Sequence, residues 1–420
     1  MNLPTRFHED PEFVMMTKKI KVLYIDGSIG FGGAIKSLSL VLSCMPDVEP
    51  ILISAQNKDI IDKWFKGIKV YRSKRLIDYR VKDRFVGWLD EKVPYELIRH
   101  LILKSIAFIG LIDDIRSIIH VSWIAKKYNV ELIHTNTGFR LDGITAARIF
   151  GIPCLVHYRG MFTEKRDKRM LTLMNHTTHV IGVSNAVSKS VCDAGMPPRK
   201  MTTIYDPVDL ALFDKYRSQR FDFRTRIGLK DEDVAVGIFG RVIPWKGQLG
   251  FVYSVLRAIK ENRNIKAVII GDESDGATDY FNRIKDVINS SGYSENFILT
   301  GYQEDVEGFY IAMDIVVHAS IEPEPFGMVV PEGMAAENPV IAADAGGPTE
   351  IVSPGIDGFL VPPGDIDKMA AAILELANDP VKRKAMGANG YNKVKNQFTI
   401  PYIASQAEKV YQGILCKALS

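Results

Sequence analysis

The chain is poor in cysteine, has no long apolar run and carries almost no net charge. Its four cysteines (Cys44, Cys154, Cys192, Cys416) are scattered through 420 residues with no C-x-x-C pair. That excludes a disulfide-stapled scaffold and a structural zinc module, and fits thiols kept reduced in a cytoplasmic setting. The most apolar stretch, 95–124, is cut by Arg99, Lys104, Asp113, Asp114 and Arg116. A spanning helix needs about 20 uninterrupted apolar residues, so nothing here spans a membrane, although the stretch is suited to lying on one. Residues 1–19 hold no apolar segment of the secretory type and read as a polar, disordered leader. No G-x-G-x-x-G follows a strand, which argues against a nicotinamide cofactor. No D-x-D ends a strand either: Asp231–Asp233 precedes one and Asp365–Asp367 opens a helix, so both read as caps and surface charge.

The net charge of +3 hides an asymmetry. Residues 1–210 hold 31 Lys+Arg against 22 Asp+Glu, and residues 211–420 hold 22 against 28, so the halves carry +9 and −6. A basic half of this kind suits an anionic ligand or surface. Composition is otherwise that of a globular protein, 46% hydrophobic and 25% charged.

Short β-rich apolar runs alternate with helical patterns: 20–25, 50–54, 67–71, 130–135, 152–157 and 178–183, then 234–240, 265–271, 296–301, 314–320 and 339–344. These runs are continuous rather than alternating, as in parallel strands covered on both faces. The fold class is therefore α/β, with two doubly wound parallel-sheet domains in tandem. The first domain is read as 20–207 together with 400–420, and the second as 208–399. The link falls in IYDPVDLALF (204–213). The tail supplies a helix, about 401–418, whose apolar positions Ile403, Ala407, Val410, Tyr411 and Ile414 form one face that is read as crossing back to the first domain.

Three segments carry candidate chemistry. GSIGFGGAIKSLSLVL (27–42) joins a strand to a helix, so its backbone and helix N-terminus suit a phosphate. In FGRVIPWKGQ (239–248), Arg241 and Lys246 bracket a turn between strand and helix, as a fork and a point charge suited to a diphosphate. In EPEPFGMVVPEGMAAENPVIAADAGGPTEIV (322–352), Glu324 sits in a loop and Glu332 inside a helix. A carboxylate in such an apolar setting needs hydroxyl or amide partners, and sugar and ribose hydroxyls provide them.

GRVIPWKGQ, EPEPFGMVVPEGMA, AGGPTEIV and DGFLVPPGD together resemble the C-terminal half of retaining glycosyltransferases of family 4. The N-terminal glycine loop, VIGVSNAVS (180–188) and IYDPVDLALF are similar to that family's first half. The resemblance runs from about residue 20 to the end, is specific over 237–365 and loose over 56–130. It implies a GT-B arrangement, two Rossmann-like doubly wound parallel-sheet domains facing a cleft, with a nucleotide-diphosphate sugar, UDP- before GDP-, on the second domain, and with no cofactor and no metal. Matched by position, Arg241 and Lys246 resemble the diphosphate clamp, Glu332 the ribose acceptor and Glu324 the contact to the sugar. Phe326, Gly327, Met328 and Val329 fall where backbone amides meet sugar and phosphate. Gly33 falls near the phosphates, and Gly301, Tyr302 and Val306 fall at the base.

The cleft histidine of many relatives maps here to either His157 or Arg159. Counting from Pro153 selects Arg159 and residue type selects His157; two apart on a strand, they share a face. Asp206-Pro207 replaces a frequent Asn-Gly at the hinge. The implied reaction transfers a sugar with retention to a lipid-linked or polysaccharide acceptor in cell-surface glycan synthesis. The alternatives are a soluble small-molecule acceptor, a nucleotide-sugar epimerase, and a non-catalytic nucleotide-sugar-binding protein. No nucleic-acid partner is implied. Lys63, Lys66, Lys69, Arg72, Lys74, Arg75, Arg80, Lys82 and Arg84, followed by the interrupted apolar segment Leu97–Ile119, predict peripheral docking on an anionic inner membrane face.

Overall fold

The computed structural model describes residues 19–28, 32–73, 96–163, 168–273 and 276–419. Residues 1–18 of the leader, and Lys74, Arg75, Arg80, Lys82 and Arg84 of the basic stretch, lie outside them. Two parallel sheets organise the chain. The first contains β1 (Ile20–Ile25), β2 (Val48–Ser54), β3 (Lys69–Arg72), β4 (Leu132–Thr135), β5 (Cys154–Tyr158), β6 (His179–Gly182) and β7 (Met201–Thr203), in the order β3-β2-β1-β4-β5-β6-β7. The second contains β8 (Val234–Phe239), β9 (Ile265–Ile270), β10 (Phe297–Gly301), β11 (Ile315–His318), β12 (Val340–Ala343) and β13 (Gly358–Val361), in the order β10-β9-β8-β11-β12-β13. Central strands are buried from end to end because helices cover both faces; every residue of β8, β11 and β12 is buried.

In each sheet the strand order reverses between two central strands, β1 and β4 in the first, β8 and β11 in the second. Such a switch point opens a crevice outside the carboxyl ends of the strands, where ligands of open α/β sheets bind. The glycine loop follows β1, Arg241–Lys246 follows β8, and His318 ends β11.

Two strands lie outside the runs read from sequence. β7 is only MTT, three half-buried residues on a sheet edge, too short for a periodic signal. β13 is GFLV, flanked by turn residues on both sides. The long helix Glu96–Tyr128 covers the first sheet through Val121, Ile124 and Ala125, and joins the neighbouring helix Leu141–Phe150 through Ser117 Oγ, which donates to Asp142 Oδ2 at 2.6 Å. Its opposite side leaves Phe108, Leu111, Ile112, Ile115, Ile119 and Trp123 exposed. Among the described residues no helix is long and apolar enough to cross a membrane.

The final helix, Ile400–Leu419, packs on the first sheet: Ile403, Ala404, Ala407, Tyr411 and Ile414 share a core with Val22, Tyr24, Leu38, Leu132 and Leu155. Burying side chains of this kind stabilises by about 1.5–3 kcal/mol each. Tyr411 sits among polar partners, its hydroxyl 2.7 Å from His134 Nδ1 and 3.1 Å from the Tyr24 hydroxyl. The chain thus passes between the sheets twice. The outgoing and returning segments touch, with Val208 N donating to Phe398 O at 2.7 Å.

Candidate functional site

Glu324 and its neighbours gather at the carboxyl ends of β8 and β11. After β8 the chain makes a short 3-10 turn, Pro244–Lys246, and Gly247 ends it with φ +76. A Cβ at Gly247 would lie 2.0 Å from Ala319 O, so only glycine lets this turn press against the end of β11. That contact delivers Lys246 to Glu324, Nζ to Oε1 at 2.6 Å. The second carboxylate oxygen takes the Ser320 hydroxyl at 2.8 Å and lies 2.6 Å from His318 Nε2. Burial pushes the Glu324 carboxyl up, but the hydrogen bonds and charges of His318 and Lys246 outweigh it and hold it well below the usual carboxylate range. The loop carrying Glu324 is pinned in turn: Gly347 N donates to Glu324 O at 2.8 Å, and a Cβ on Gly346 (φ +68) would meet that oxygen at 2.3 Å. A side-chain carbon added at Gly327 would lie 3.6 Å from His318 Nε2, so this glycine's main chain lies against the same cluster.

Glu332, in the helix Val329–Ala335, accepts from the Tyr310 hydroxyl at 3.0 Å. The Tyr310 ring is fixed by stacking on Phe239, centroids 3.6 Å apart. Burial raises the Glu332 carboxyl above its ordinary value against the opposing charge of Lys36 and the Tyr310 bond, and Glu307 adds to the rise. Glu324 and Glu332 are therefore two carboxylates pushed in opposite directions. Across from them, Lys36 in the first domain's helix Gly33–Leu42 reaches Glu307, Nζ to Oε1 at 3.1 Å.

Other residues singled out from sequence are placed as follows. Arg241 is exposed and makes no ion pair among the described residues, while its carbonyl accepts from Gln248 Nε2 at 2.8 Å. Lys246, by contrast, is shared between Glu324 and the Trp245 ring, 4.4 Å from its centroid. Gly33 opens its helix with nothing within 4 Å of an added Cβ. Gly301 ends β10, Tyr302 is 75% exposed, and Val306 starts the helix Val306–Ala312. The Phe326 side chain turns away to stack on Tyr205, centroids 5.7 Å apart, beside Phe398. Met328 and Val329 form the start of the Glu332 helix.

His157 and Arg159 do meet, Nδ1 to Nη2 at 3.3 Å, but among the described residues no hydrogen bond joins either to Lys246 or Glu324. Arg159 pairs with Asp206 and also reaches Ser37 Oγ at 3.3 Å and Asn136 O at 3.2 Å, while Ser37 Oγ donates to Asp206 at 2.5 Å. Asp206 thus ties the crossing segment to the glycine-loop helix. His157 is buried, and burial, with Arg159 and His134 nearby, lowers its basicity well below that of a free imidazole, so it stays neutral.

His318, Ser320, Tyr310, Glu307 and Lys36 lie outside the sequence-predicted set. The only available signal was polar type at strand ends, as in VVHAS, or beside glycines, as in GGAIK. Glu350 was also missed: its carboxylate accepts from Asn185 N at 2.8 Å and Ala186 N at 2.7 Å, capping a first-domain helix from the second domain.

Comparison with known proteins agrees with this fold. The family model described as glycosyl transferases group 1 matches residues 219–393, and that of glycosyltransferase family 4 matches residues 89–212. The Escherichia coli UDP-Gal:alpha-D-GlcNAc-diphosphoundecaprenol alpha-1,3-galactosyltransferase is 27% identical over 320 residues, 72% of this chain and 80% of that protein. The Staphylococcus aureus capsular polysaccharide biosynthesis glycosyltransferase CapM is 25% identical over 321 residues, 73% and 83% respectively. Among solved structures, Anabaena HepE in complex with UDP superposes with TM-score 0.75 at 23% identity, covering 94% of this chain and all of that one. A Rickettsia africae glycosyltransferase gives 0.77 at 20% identity, covering 94% and 99%. Two parallel-sheet domains, family models matched in both halves and glycosyltransferase relatives matched over 80% and 83% of their length lead to one assignment: the chain belongs to the group 1 glycosyltransferases, with a family 4 first half.

Proposed function

We propose that the protein transfers a hexose from a UDP-sugar to a lipid-linked or growing polysaccharide acceptor, with retention and without a metal ion. The observation that carries this reading is the Lys246–Glu324–His318 cluster at the β8/β11 switch point, with Glu332 held on the adjoining helix. Supporting it, the E. coli relative's name specifies a UDP-sugar donor and a diphosphoundecaprenol acceptor, and several relatives are named for capsule or lipopolysaccharide synthesis.

In this reading Arg241 and Lys246 neutralise the leaving diphosphate, Glu332 accepts the ribose hydroxyls and Glu324 accepts a hydroxyl of the sugar. Gly33 and the helix it opens face the phosphates. Gly301, Tyr302 and Val306 flank the base, and the main chain of 326–329 meets sugar and phosphate. His157 or Arg159 is the cleft residue beside the sugar, and Arg159 also holds the glycine-loop helix through Ser37 and Asp206. The bond from the anomeric carbon to the phosphate oxygen breaks, the acceptor oxygen bonds to that carbon on the same face, and the departing phosphate takes the acceptor's proton. Catalysis then rests on preorganised charge and on positioning.

A screen of nucleotide sugars by thermal shift tests the donor, since a ligand at 100 times its Kd stabilises by about 2.7 kcal/mol. UDP-hexoses should shift the melt most. Turnover in EDTA, with product anomers followed by NMR, tests the rest. Inverted product, or activity lost in EDTA and restored by Mg²⁺, would contradict the reading.

The exposed apolar stripe of the long helix, with Ile149 and Phe150 exposed on the neighbouring helix, supports work at an anionic membrane face. Vesicle flotation should show salt-sensitive binding to anionic but not neutral vesicles. No binding at low salt, with full activity on a soluble acceptor, would favour a soluble-acceptor enzyme.

A further inference from the structure

The second sheet carries a charged hollow on the edge opposite the Glu324 site. Glu324 and His318 gather at the carboxyl ends of its strands. Asp314 and Pro339 instead precede β11 and β12, and they line a cavity of about 360 Å³ at the amino ends. That volume is of the size that takes a small organic ligand. Its walls hold four cations, Arg217, Arg220, Arg383 and Lys384, against two carboxylates, Asp314 and Glu337. This excess lies in the half of the chain where acidic residues outnumber basic ones.

The two carboxylates are already taken. Asp314 accepts from Arg220 Nη2 at 2.6 Å and from Arg224 Nη1 at 3.0 Å, and Glu337 pairs with Arg217 at 2.7 Å. Arg217 also pairs with Asp214 at 3.2 Å, so adding Arg224 and Asp214 to the balance leaves the same excess. That excess is Arg383 and Lys384, which form no ion pair among the described residues. Arg383 Nη1 donates to Leu376 O at 2.6 Å and to Ala377 O at 2.9 Å. Those bonds fix the guanidinium and leave its Nε–Nη2 edge, like Lys384 Nζ, without a hydrogen-bond partner among the described residues. Burial lowers the basicity of Arg220, and Arg224 and Arg383 add to that against Asp314, so the cations of this hollow oppose one another.

The surplus also sits at the wrong end of a helix. Pro380–Gln397 opens with PVKRK, three successive cations where the helix dipole is itself positive. Lys382 is paired with Glu375, but Arg383 and Lys384 are not compensated in this way. Cations there are unfavourable, and an anion among them reverses the sign.

We propose that this hollow is an anion-binding site, separate from the Glu324 site, for a small phosphomonoester. The Arg383 edge takes two phosphate oxygens in its fork and Lys384 supplies a point charge. Ala336, Pro339 and Pro380 add apolar wall, which suits the organic part of an ester better than a bare ion.

The test is calorimetry at low salt, with glycerol 3-phosphate and inorganic phosphate as probes. Glycerol 3-phosphate should bind saturably and more tightly than inorganic phosphate, and weaken as NaCl is raised. Lys384→Gln removes a side chain that bonds nothing else, so it should weaken binding about tenfold with the melt unchanged. Arg383→Lys keeps the charge and loses the fork, and should weaken binding similarly; because it also loosens the helix end it bonds, Lys384→Gln is the deciding variant. Lys246→Ala, in the Glu324 site, should leave binding as in wild type. Binding lost in Lys246→Ala but kept in Lys384→Gln would place the anion in the other crevice and overturn the proposal. No saturable binding at low salt would overturn it as well, and equal affinity for the two probes would overturn the ester.

Discussion

Glu324→Gln and Glu332→Gln are one chemical change at two carboxylates, and stability should respond with opposite signs. Glu324 is held below the usual carboxylate range by His318 and Lys246 against its burial. A depressed carboxyl stabilises the fold at every pH above the ordinary carboxylate value, and loses that contribution only as pH falls through the depressed one. Glutamine leaves Lys246 facing a neutral amide, with side chains 16% and 13% exposed in the wild type. Removing one partner of a largely buried pair costs about 3–5 kcal/mol. At about 2–4 °C per kcal/mol, the melt should fall by roughly 6–20 °C, nearly evenly from pH 5 to 8.

Glu332 is raised, mainly by burial. A raised carboxyl favours folding fully below the ordinary value, and that contribution is lost as pH rises through the raised one. Glutamine keeps an acceptor for Tyr310 and never ionises, so this variant should gain on wild type as pH climbs from 5 to 8. Scanning fluorimetry at four pH values reads both. An unchanged melt in Glu324→Gln, or a Glu332→Gln deficit that grows with pH, would refute the reasoning.

Lys246→Ala should reduce turnover by about 10²–10³, the usual loss for one preorganised contact to developing charge, while the protein stays folded; near-normal turnover would remove it from the site. Tyr411→Phe should cost about 1–3 kcal/mol, because His134 Nδ1 and the Tyr24 hydroxyl lose their shared partner, and chemical denaturation measures it. Deleting 400–420 should expose the apolar face of the first sheet and drive association in light scattering; a monomeric, active truncation would contradict the packing described. Gly346→Ala should lower stability by about 1–3 kcal/mol from strain alone and depress activity further by displacing Glu324, so a melt equal to wild type would count against the loop geometry.

Much of the architecture was written in the sequence because buried parallel strands are continuous apolar runs. IKVLYI and VAVGIF declare themselves, while MTT at a sheet edge has neither the length nor the apolarity to do so. Within the site, Lys246, Glu324 and Glu332 stood out because charge is conspicuous among glycines and apolar residues. Their partners did not. His318 lies six residues from Glu324 but Lys36 lies 271 residues from Glu307, and nothing local links a lysine after two glycines to a carboxylate in the other domain. Arg159 shows the reverse: conspicuous at a strand end, it is occupied by Asp206, a pairing that only the fold creates.

The two passages of the chain between the domains lie side by side, bonded at Val208 and Phe398 and bridged in parallel between Val208 and Thr399. A single strap would act as a ball joint, leaving three rotations free. Two bonded straps act as the pin of a door, and one axis remains. Any movement of the Lys36 side against the Glu307 side would then be confined to one arc that returns to the same register, with little orientational freedom to lose. Replacing residues at that pin should change how often the door shuts without changing what its edges meet.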